Sequence, residues 1–398
     1  MKHKFLIIGL AVGVYSISGN ADTLDKTKSS TQPGVHLDQS KNVLFEQFSS
    51  YSFSLQTLQA KNTFNNYDLI IGGSLQTDYQ RWHGHTINEI PPRLYKEGKG
   101  LYFTQAVLDA MGNVSHWVTS FLSVADSYIG RPSEEGNDVF LNRAILIFGD
   151  VDKFPIYATV GINTLPFGVF SGSGVWDTPL TGAYFNPALA PQISLAYYKN
   201  GLNISVTKYS DQTNHQNHNV GSVYYNKSIA NFNFSLGAGY LTDLKSNSTG
   251  TSLTHRKRKH ALSSGFNYGL VKDVNASIGY KRFSISGEYV QGSDVVGINV
   301  ETPHATAFTA TYIQSIAGKD VTFGITRSHS YHLKDVPVSL AGEDALPLTA
   351  EGLESAWGVS ISSPILTKNS VLGVNFEKSV TYSAHSSYTG TLELYLYL

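Results

Sequence analysis

The sequence predicts an all-β chain: a transmembrane antiparallel β-barrel of 16 strands, preceded by a short N-terminal helix or coiled-coil segment. Three observations carry that expectation. Of 398 residues only 15% are charged, while Gly occurs 36 times, Tyr 24 and Phe 20, against roughly 25% charged residues in soluble domains. From Tyr67 onward, polarity alternates with period two in segments that suit a strand with one apolar and one polar face. The connections alternate between long polar stretches and tight turns, as they do where external loops are long and periplasmic turns short.

Composition also removes competing classes. Lys plus Arg number 29 and Asp plus Glu 30, a net charge of -1, so the surplus of cations that phosphate contacts need is missing and nucleic acid is not an expected partner. The absence of Cys excludes disulfide frameworks, thiol nucleophiles and thiolate metal sites. After the first 20 residues, no run approaches the roughly 18 apolar residues of a spanning helix. A large soluble β protein or a membrane barrel is left, and abundant Tyr and Gly with little charge favour the barrel.

At the N-terminus, Lys2 and Lys4 precede the apolar stretch Phe5 to Ile17, and Gly19-Asn20-Ala21 supplies small residues for cleavage. Residues 1–21 therefore read as a signal peptide, and 22–63 as a periplasmic N-terminal segment. Residues 22–36 have the polar composition of a tether. Leu37, Leu44, Phe48, Tyr51, Leu55 and Leu58 then fall at spacings that draw a narrow apolar seam, which predicts a helix over 37–60. Its alternative is a disordered lead-in with chance periodicity.

Residues 64–398 are expected to form the outer-membrane barrel. Strands are placed near 67–80, 101–111, 115–127, 139–149, 155–164, 191–198, 202–210, 220–226, 231–242, 260–270, 283–292, 304–316, 320–330, 354–366, 370–380 and 389–398. Gly112-Asn113 and Lys199-Asn200-Gly201 mark tight turns, whereas 81–100, 165–190, 243–259 and 331–353 are long. Residues 271–282 either extend the strand at 260–270 or form one of their own; an even count of 16 is the rule for bacterial single-chain barrels. The segment Gly390 to Leu398 alternates to its last residue, with Leu392, Leu394 and Leu396 toward lipid and Thr391, Glu393 and Tyr395 inward, suiting a strand that closes the sheet.

The stretch Asp152-Lys153-Phe154-Pro155-Ile156-Tyr157-Ala158-Thr159-Val160-Gly161-Ile162-Asn163-Thr164-Leu165-Pro166-Phe167-Gly168 leads into Trp176-Asp177-Thr178-Pro179-Leu180 and Ala183-Tyr184-Phe185-Asn186-Pro187. With Tyr198-Lys199-Asn200-Gly201-Leu202, it resembles the LbtU-type siderophore-porin family of legiobactin-receptor-like proteins. The resemblance runs from about residue 67 to the C-terminus and is most specific over 152–202. It implies an outer-membrane barrel that carries a ferric siderophore inward without a large plug domain. It brings no catalytic or ligand motif.

Candidate sites follow from the barrel reading. The connection 165–190 carries Trp176, Asp177 and Tyr184 with apolar anchors such as Leu165, Phe167 and Phe170, and is expected to fold into the lumen and narrow it; a cap outside the barrel is the alternative. Arg143, Glu288 and Glu377 should face the lumen, since a charge toward lipid at midplane costs about 2 to 4 kcal/mol. There they act in selectivity or as wall ion pairs. His255-Arg256-Lys257-Arg258-Lys259-His260 is a dense basic cluster, so Arg256, Lys257, Arg258 and Lys259 are anion-capture candidates at the mouth, or contacts to lipopolysaccharide phosphate. His83 with His85, and His215 with His218, read as loop histidines without a metal-ligand set. Ser171-Gly172-Ser173-Gly174 reads as a flexible loop, with no nucleophile elbow behind it.

The leading expectation is a channel of the Gram-negative outer membrane for a ferric siderophore, not an enzyme, with no cofactor or metal. A general or anion-preferring porin is the second reading, and an adhesion or envelope-structure barrel the third. Expected partners are the small solute, outer-membrane lipid and lipopolysaccharide, and the barrel-assembly machinery.

Overall fold

The computed structural model describes residues 35–37, 53–60, 68–84, 97–129, 139–173, 179–187, 189–210, 217–244, 270–293, 302–334, 338–339, 348–349, 352–367 and 369–397. A strand β1 (Val35–Leu37) and a helix α1 (Phe53–Ala60) precede the barrel. The wall begins with β2 (Leu69–Gly84), β3 (Glu97–Ser115), β4 (Val118–Ile129), β5 (Phe140–Gly149) and β6 (Ile156–Thr164). A helix α2 (Leu180–Phe185) intervenes before β7 (Leu189–Lys199), β8 (Leu202–Ser210), β9 (Asn217–Ile229), β10 (Phe232–Leu241) and β11 (Val271–Tyr280). Then come β12 (Phe283–Gly292), β13 (His304–Ile316) and β14 (Lys319–Tyr331). A two-residue pair, β15 (Val338–Ser339) with β16 (Leu348–Thr349), stands apart, and β17 (Leu353–Pro364), β18 (Ser370–Thr381) and β19 (Ser386–Tyr397) complete the wall.

Every neighbouring pair of wall strands is antiparallel, and β19 pairs with β2 from Ser387 opposite Gly84 to Tyr397 opposite Ser74. The sheet thus closes on itself as 16 strands, with β1 as a seventeenth member. Closure leaves backbone groups paired within the sheet, the condition for strands in hydrocarbon.

The two faces differ as the alternation predicts. On β7, Ile193 and Leu195 point out at 65% and 59% exposure while Gln192 and Ser194 point in at 6% and 8%. On β10, Phe232, Leu236 and Tyr240 are exposed outside, while Gly237 is buried on the lumen side. Outward aromatics cluster at two heights: Phe232, Tyr280, Phe283 and Tyr312 near the tight turns, and Tyr240, Tyr289, Phe308, Tyr331 and Trp357 near the long connections. Phe232 and Tyr240 lie about 26 Å apart along their strand at roughly 3.3 Å per residue, which matches the aromatic girdles of a membrane barrel.

Tight turns join β7 to β8, β9 to β10, β11 to β12 and β13 to β14. Asn200 and Gly201 hold φ of 50° and 87°, and Ala317 and Gly318 hold 51° and 75°, the left-handed pair whose twist matches that of the strands it joins.

Several expectations need correction. The strand beside β10 is not 260–270 but Val271–Tyr280, paired from Leu241 opposite Val271 to Phe232 opposite Tyr280; residues 260–269 lie outside the described residues. The count of 16 survives because 271–280 takes that place. The turn expected at Gly112-Asn113 falls at His116-Trp117. Gly112 stays in the ladder opposite Ser120, where a Cβ would meet the Ser120 hydroxyl at 2.7 Å, so its glycine serves a close approach between strands. Of the helix expected over 37–60, Phe53–Ala60 is helical but Leu37 closes β1, in parallel pairing with β2; residues 38–52 lie outside the described residues, as does the expected signal peptide. His83 and His218 stand in strands β2 and β9, not in loops.

Helix α1 packs inside the barrel. Phe53, Leu55 and Leu58 are buried with Met111, Phe121, Ile145 and Ile147, which face inward near the tight-turn end of β3, β4 and β5. The Phe53 and Phe121 rings meet edge to face at 4.9 Å, and the Arg143 guanidinium lies 4.3 Å over the Phe53 ring. The inward wall is apolar at this patch, and the helix covers it.

Candidate channel constriction

The connection after β6 crosses the lumen. In the circular strand order, β12 to β17 lie on the side of the barrel opposite β6 and β7, and the described part of the connection, 165–173 and 179–187, reaches them. Gly168 and Phe170 take left-handed φ of 69° and 51° and turn the chain so that consecutive N–H groups point at one acceptor. Glu288 of β12 is that acceptor: its Oε1 receives the N–H of Val169 at 2.7 Å and of Phe170 at 3.0 Å. The Thr309 hydroxyl of β13 donates to the Ser171 carbonyl at 3.2 Å, and the Ser360 hydroxyl of β17 donates to the Ser173 carbonyl. Ser171 and Ser173, expected in a flexible loop, are thereby fixed to the wall.

Two wall glycines make room for the crossing chain. A Cβ on Gly324 of β14 would lie 2.6 Å from the Ser173 Cβ, and one on Gly239 of β10 would lie 3.1 Å from the Phe167 ring. Gly324 pairs with Thr311 and Ser360 near mid-strand, which puts Ser173 deep within the barrel. Beyond the crossing, α2 packs on β12, β13, β14 and β17. Tyr184 is fully buried there; its hydroxyl donates to the Leu353 carbonyl at 3.1 Å and accepts the Leu353 N–H at 2.6 Å. Phe167, Leu180 and Phe185 fill the apolar contact with Tyr209, Val220, Leu241 and Val290.

The remaining site candidates are dispersed. Arg143 faces inward opposite Ser123, with a terminal nitrogen 3.3 Å from the Thr164 hydroxyl. Glu377 faces inward and accepts from the Ser379 hydroxyl at 2.8 Å. Glu288 meets the crossing chain, whereas Arg143 and Glu377 stand on β5 and β18, and none of the bonds described above links them to it. Trp176, Asp177 and the basic residues Arg256, Lys257, Arg258 and Lys259 lie outside the described residues, as do His85 and His215; His218 lies 3.4 Å from the Asp243 carboxylate.

Sequence reasoning gave no site role to Asp78, Asp109 and Asp273, which the ladder registers turn inward with Glu288, Glu377 and Glu393. Among the described wall residues these carboxylates face one inward guanidinium, Arg143. The signal was present in the alternation: Asp109 falls between outward Leu108 and Ala110, and Glu393 between outward Leu392 and Leu394.

Among known proteins, the family model described as "Protein of unknown function (DUF3573)" matches residues 37–269. A "UPF0422 protein" of Coxiella burnetii (strain RSA 493 / Nine Mile phase I) is 26% identical over 251 residues, 57% of this chain and 51% of the relative; the match spans about half the length of that relative. In fold, the chain is similar to OmpF of Salmonella typhi in its complex with daunomycin (TM-score 0.56, 10% identity, 84% of this chain and 98% of that one). It is similar too to an anion-selective porin from Comamonas acidovorans (TM-score 0.54, 11% identity, 84% and 100%) and to OprB of Pseudomonas putida (0.52, 11%, 84% and 94%). These likenesses show the fold, a closed antiparallel β-barrel of the kind found in porins.

Proposed function

From a chain that belongs to the DUF3573 family of proteins of unknown function and folds as a porin-like barrel, we infer a diffusion channel for small hydrophilic solutes, narrowed by its own connection 165–188. One observation carries this reading: the chain from Leu165 to Ser173 crosses to the far wall and is held there by Glu288, Thr309 and Ser360. A barrel of this strand number is wide enough for an aqueous passage unless something fills it.

The ferric siderophore implied by the resemblance over 152–202 is the finer form of the reading. Loss of radiolabelled ferric-siderophore uptake in a deletion strain, restored by the gene and competed by unlabelled complex, supports that cargo. The anion-preferring alternative gains nothing from the described wall, whose inward charges are carboxylates apart from Arg143. The scaffold alternative draws on α1 and the crossing segment occupying one lumen.

The test is electrical. Purified protein added to a planar lipid bilayer should produce discrete conductance steps. A correctly folded barrel that inserts without conducting, with and without residues 170–185, overturns the channel and favours the scaffold.

A further inference from the structure

We propose that the channel passes positively charged solutes, and that Asp78, Glu393, Asn375 and Gln80 form a station for a cation that can donate hydrogen bonds, such as an ammonium group. The proposal rests on the channel reading and specifies its solute class.

Glu393 of β19 and Asp78 of β2 stand directly opposite in the ladder, both inward, at 3% and 0% exposure. Like charges directly opposite are destabilising; Asp78 accepts from the Gln76 amide at 3.1 Å, whereas Glu393 Oε2 has no hydrogen-bond donor, and a buried carboxylate oxygen in that state requires compensation. No Lys or Arg among the described residues faces inward from β17, β18, β19, β2 or β3. Lys378 alternates with the inward Glu377 and Ser379, and Lys99 with Gly98 and Gly100, so both point outside.

A second observation is independent of the acidic pair. In the next inward row, Asn375, Thr391 and Gln80 lie side by side on β18, β19 and β2. The Asn375 Oδ1 and Gln80 Oε1 are buried acceptors without a hydrogen-bond donor, and so is Glu393 Oε2; their residues are 3%, 1% and 3% exposed. Three orphaned oxygens on adjoining strands all lack the same thing, a donor, and a buried acceptor left unmet costs about 1 to 3 kcal/mol. An ammonium group supplies positive charge and three donors at once. No group of three or more His, Cys, Asp and Glu with metal-holding geometry occurs among the described residues, and the amide oxygens in the set suit an organic ammonium or an alkali ion.

Lumen charge sets the sign of permeant ions. Asp273 of β11 and Glu288 of β12 are further inward acidic groups on the same lumen.

The reversal potential of the purified protein in a planar bilayer under a KCl gradient tests this. Wild type should favour K+ over Cl- several-fold, and 1,4-diaminobutane should block the K+ current. The double variant Asp78→Asn/Glu393→Gln should bring the permeability ratio toward unity and weaken the block several-fold while conductance persists. Lys378→Gln, on the outward face of β18, should leave the ratio unchanged. A conducting wild type that prefers Cl-, or a double variant with an unaltered ratio and block, overturns the cation station and leaves the channel standing. Absence of any conductance overturns both. Should the double variant fail to insert, the wild-type ratio decides the matter alone.

Discussion

Two segments enter the same lumen and are held in different ways. Helix α1 rests on β3, β4 and β5 through Phe53, Leu55 and Leu58, a mainly apolar contact to which the Arg143 guanidinium over the Phe53 ring adds. The crossing segment 165–173 buries Phe167 and Phe170 too, but is also tied by main-chain bonds to Glu288, Thr309 and Ser360 on the far wall. Apolar burial is roughly proportional to area and tolerates sliding, whereas a carboxylate that receives consecutive N–H groups fixes position and orientation. The helix is therefore the displaceable insert, and the crossing segment a fixed part of the wall.

The strongest way to sharpen that contrast is removal. Deleting 170–185 should raise single-channel conductance several-fold and erase solute preference while the barrel still assembles, whereas truncating 22–62 should change conductance less; equal effects would mean that both inserts obstruct alike. Next, Glu288→Ala leaves the Val169 and Phe170 N–H groups without their carboxylate, at about 1 to 3 kcal/mol each. Amide hydrogen exchange at those positions should rise about fivefold or more, since 1.4 kcal/mol is a factor of ten. Unchanged protection would show that the apolar contacts suffice. Phe53→Ala removes the ring between Phe121 and Arg143. Core Phe→Ala changes cost about 3 to 5 kcal/mol, but here the cost should appear as undocking of α1, read as proteolysis near residue 60 with barrel resistance to heat retained. The smallest effect on conductance is expected from Tyr184→Phe, which leaves the Leu353 N–H without its acceptor at about 1 to 3 kcal/mol and should lower thermal stability at unaltered conductance.

The wall was legible because a strand with lipid on one side must alternate. Phe232 to Tyr240 and Gly390 to Tyr397 read the same way in sequence and structure. Punctuation was less legible. Gly112-Asn113 has turn composition, yet Gly112 is consumed by the close approach of Ser120. Val271 to Tyr280 alternates fully, with Asp273 and Asn275 inward against Val274 and Ile278 outward, and Lys281-Arg282 supplies its turn. The cost of charge in lipid places Glu288 inward, but its partners Val169 and Phe170 are 119 and 118 residues away. Such contacts follow from closure of the whole sheet and leave no local trace.

The stagger where the barrel closes has a consequence for biogenesis. β19 covers β2 only from Ser74 upward, and β1 lies parallel to Leu69, Ile70 and Ile71 on β2 below that point. The first strand of the wall is thus met by an N-terminal segment, parallel, and by β19, antiparallel. In hydrocarbon, an uncovered stretch of that edge would strand donors and acceptors at several kcal/mol each. Residues 35–37 act as the last stitch of the seam, so a foreign tag fused just ahead of residue 35 competes with closure itself, while the same tag in an external connection leaves it untouched.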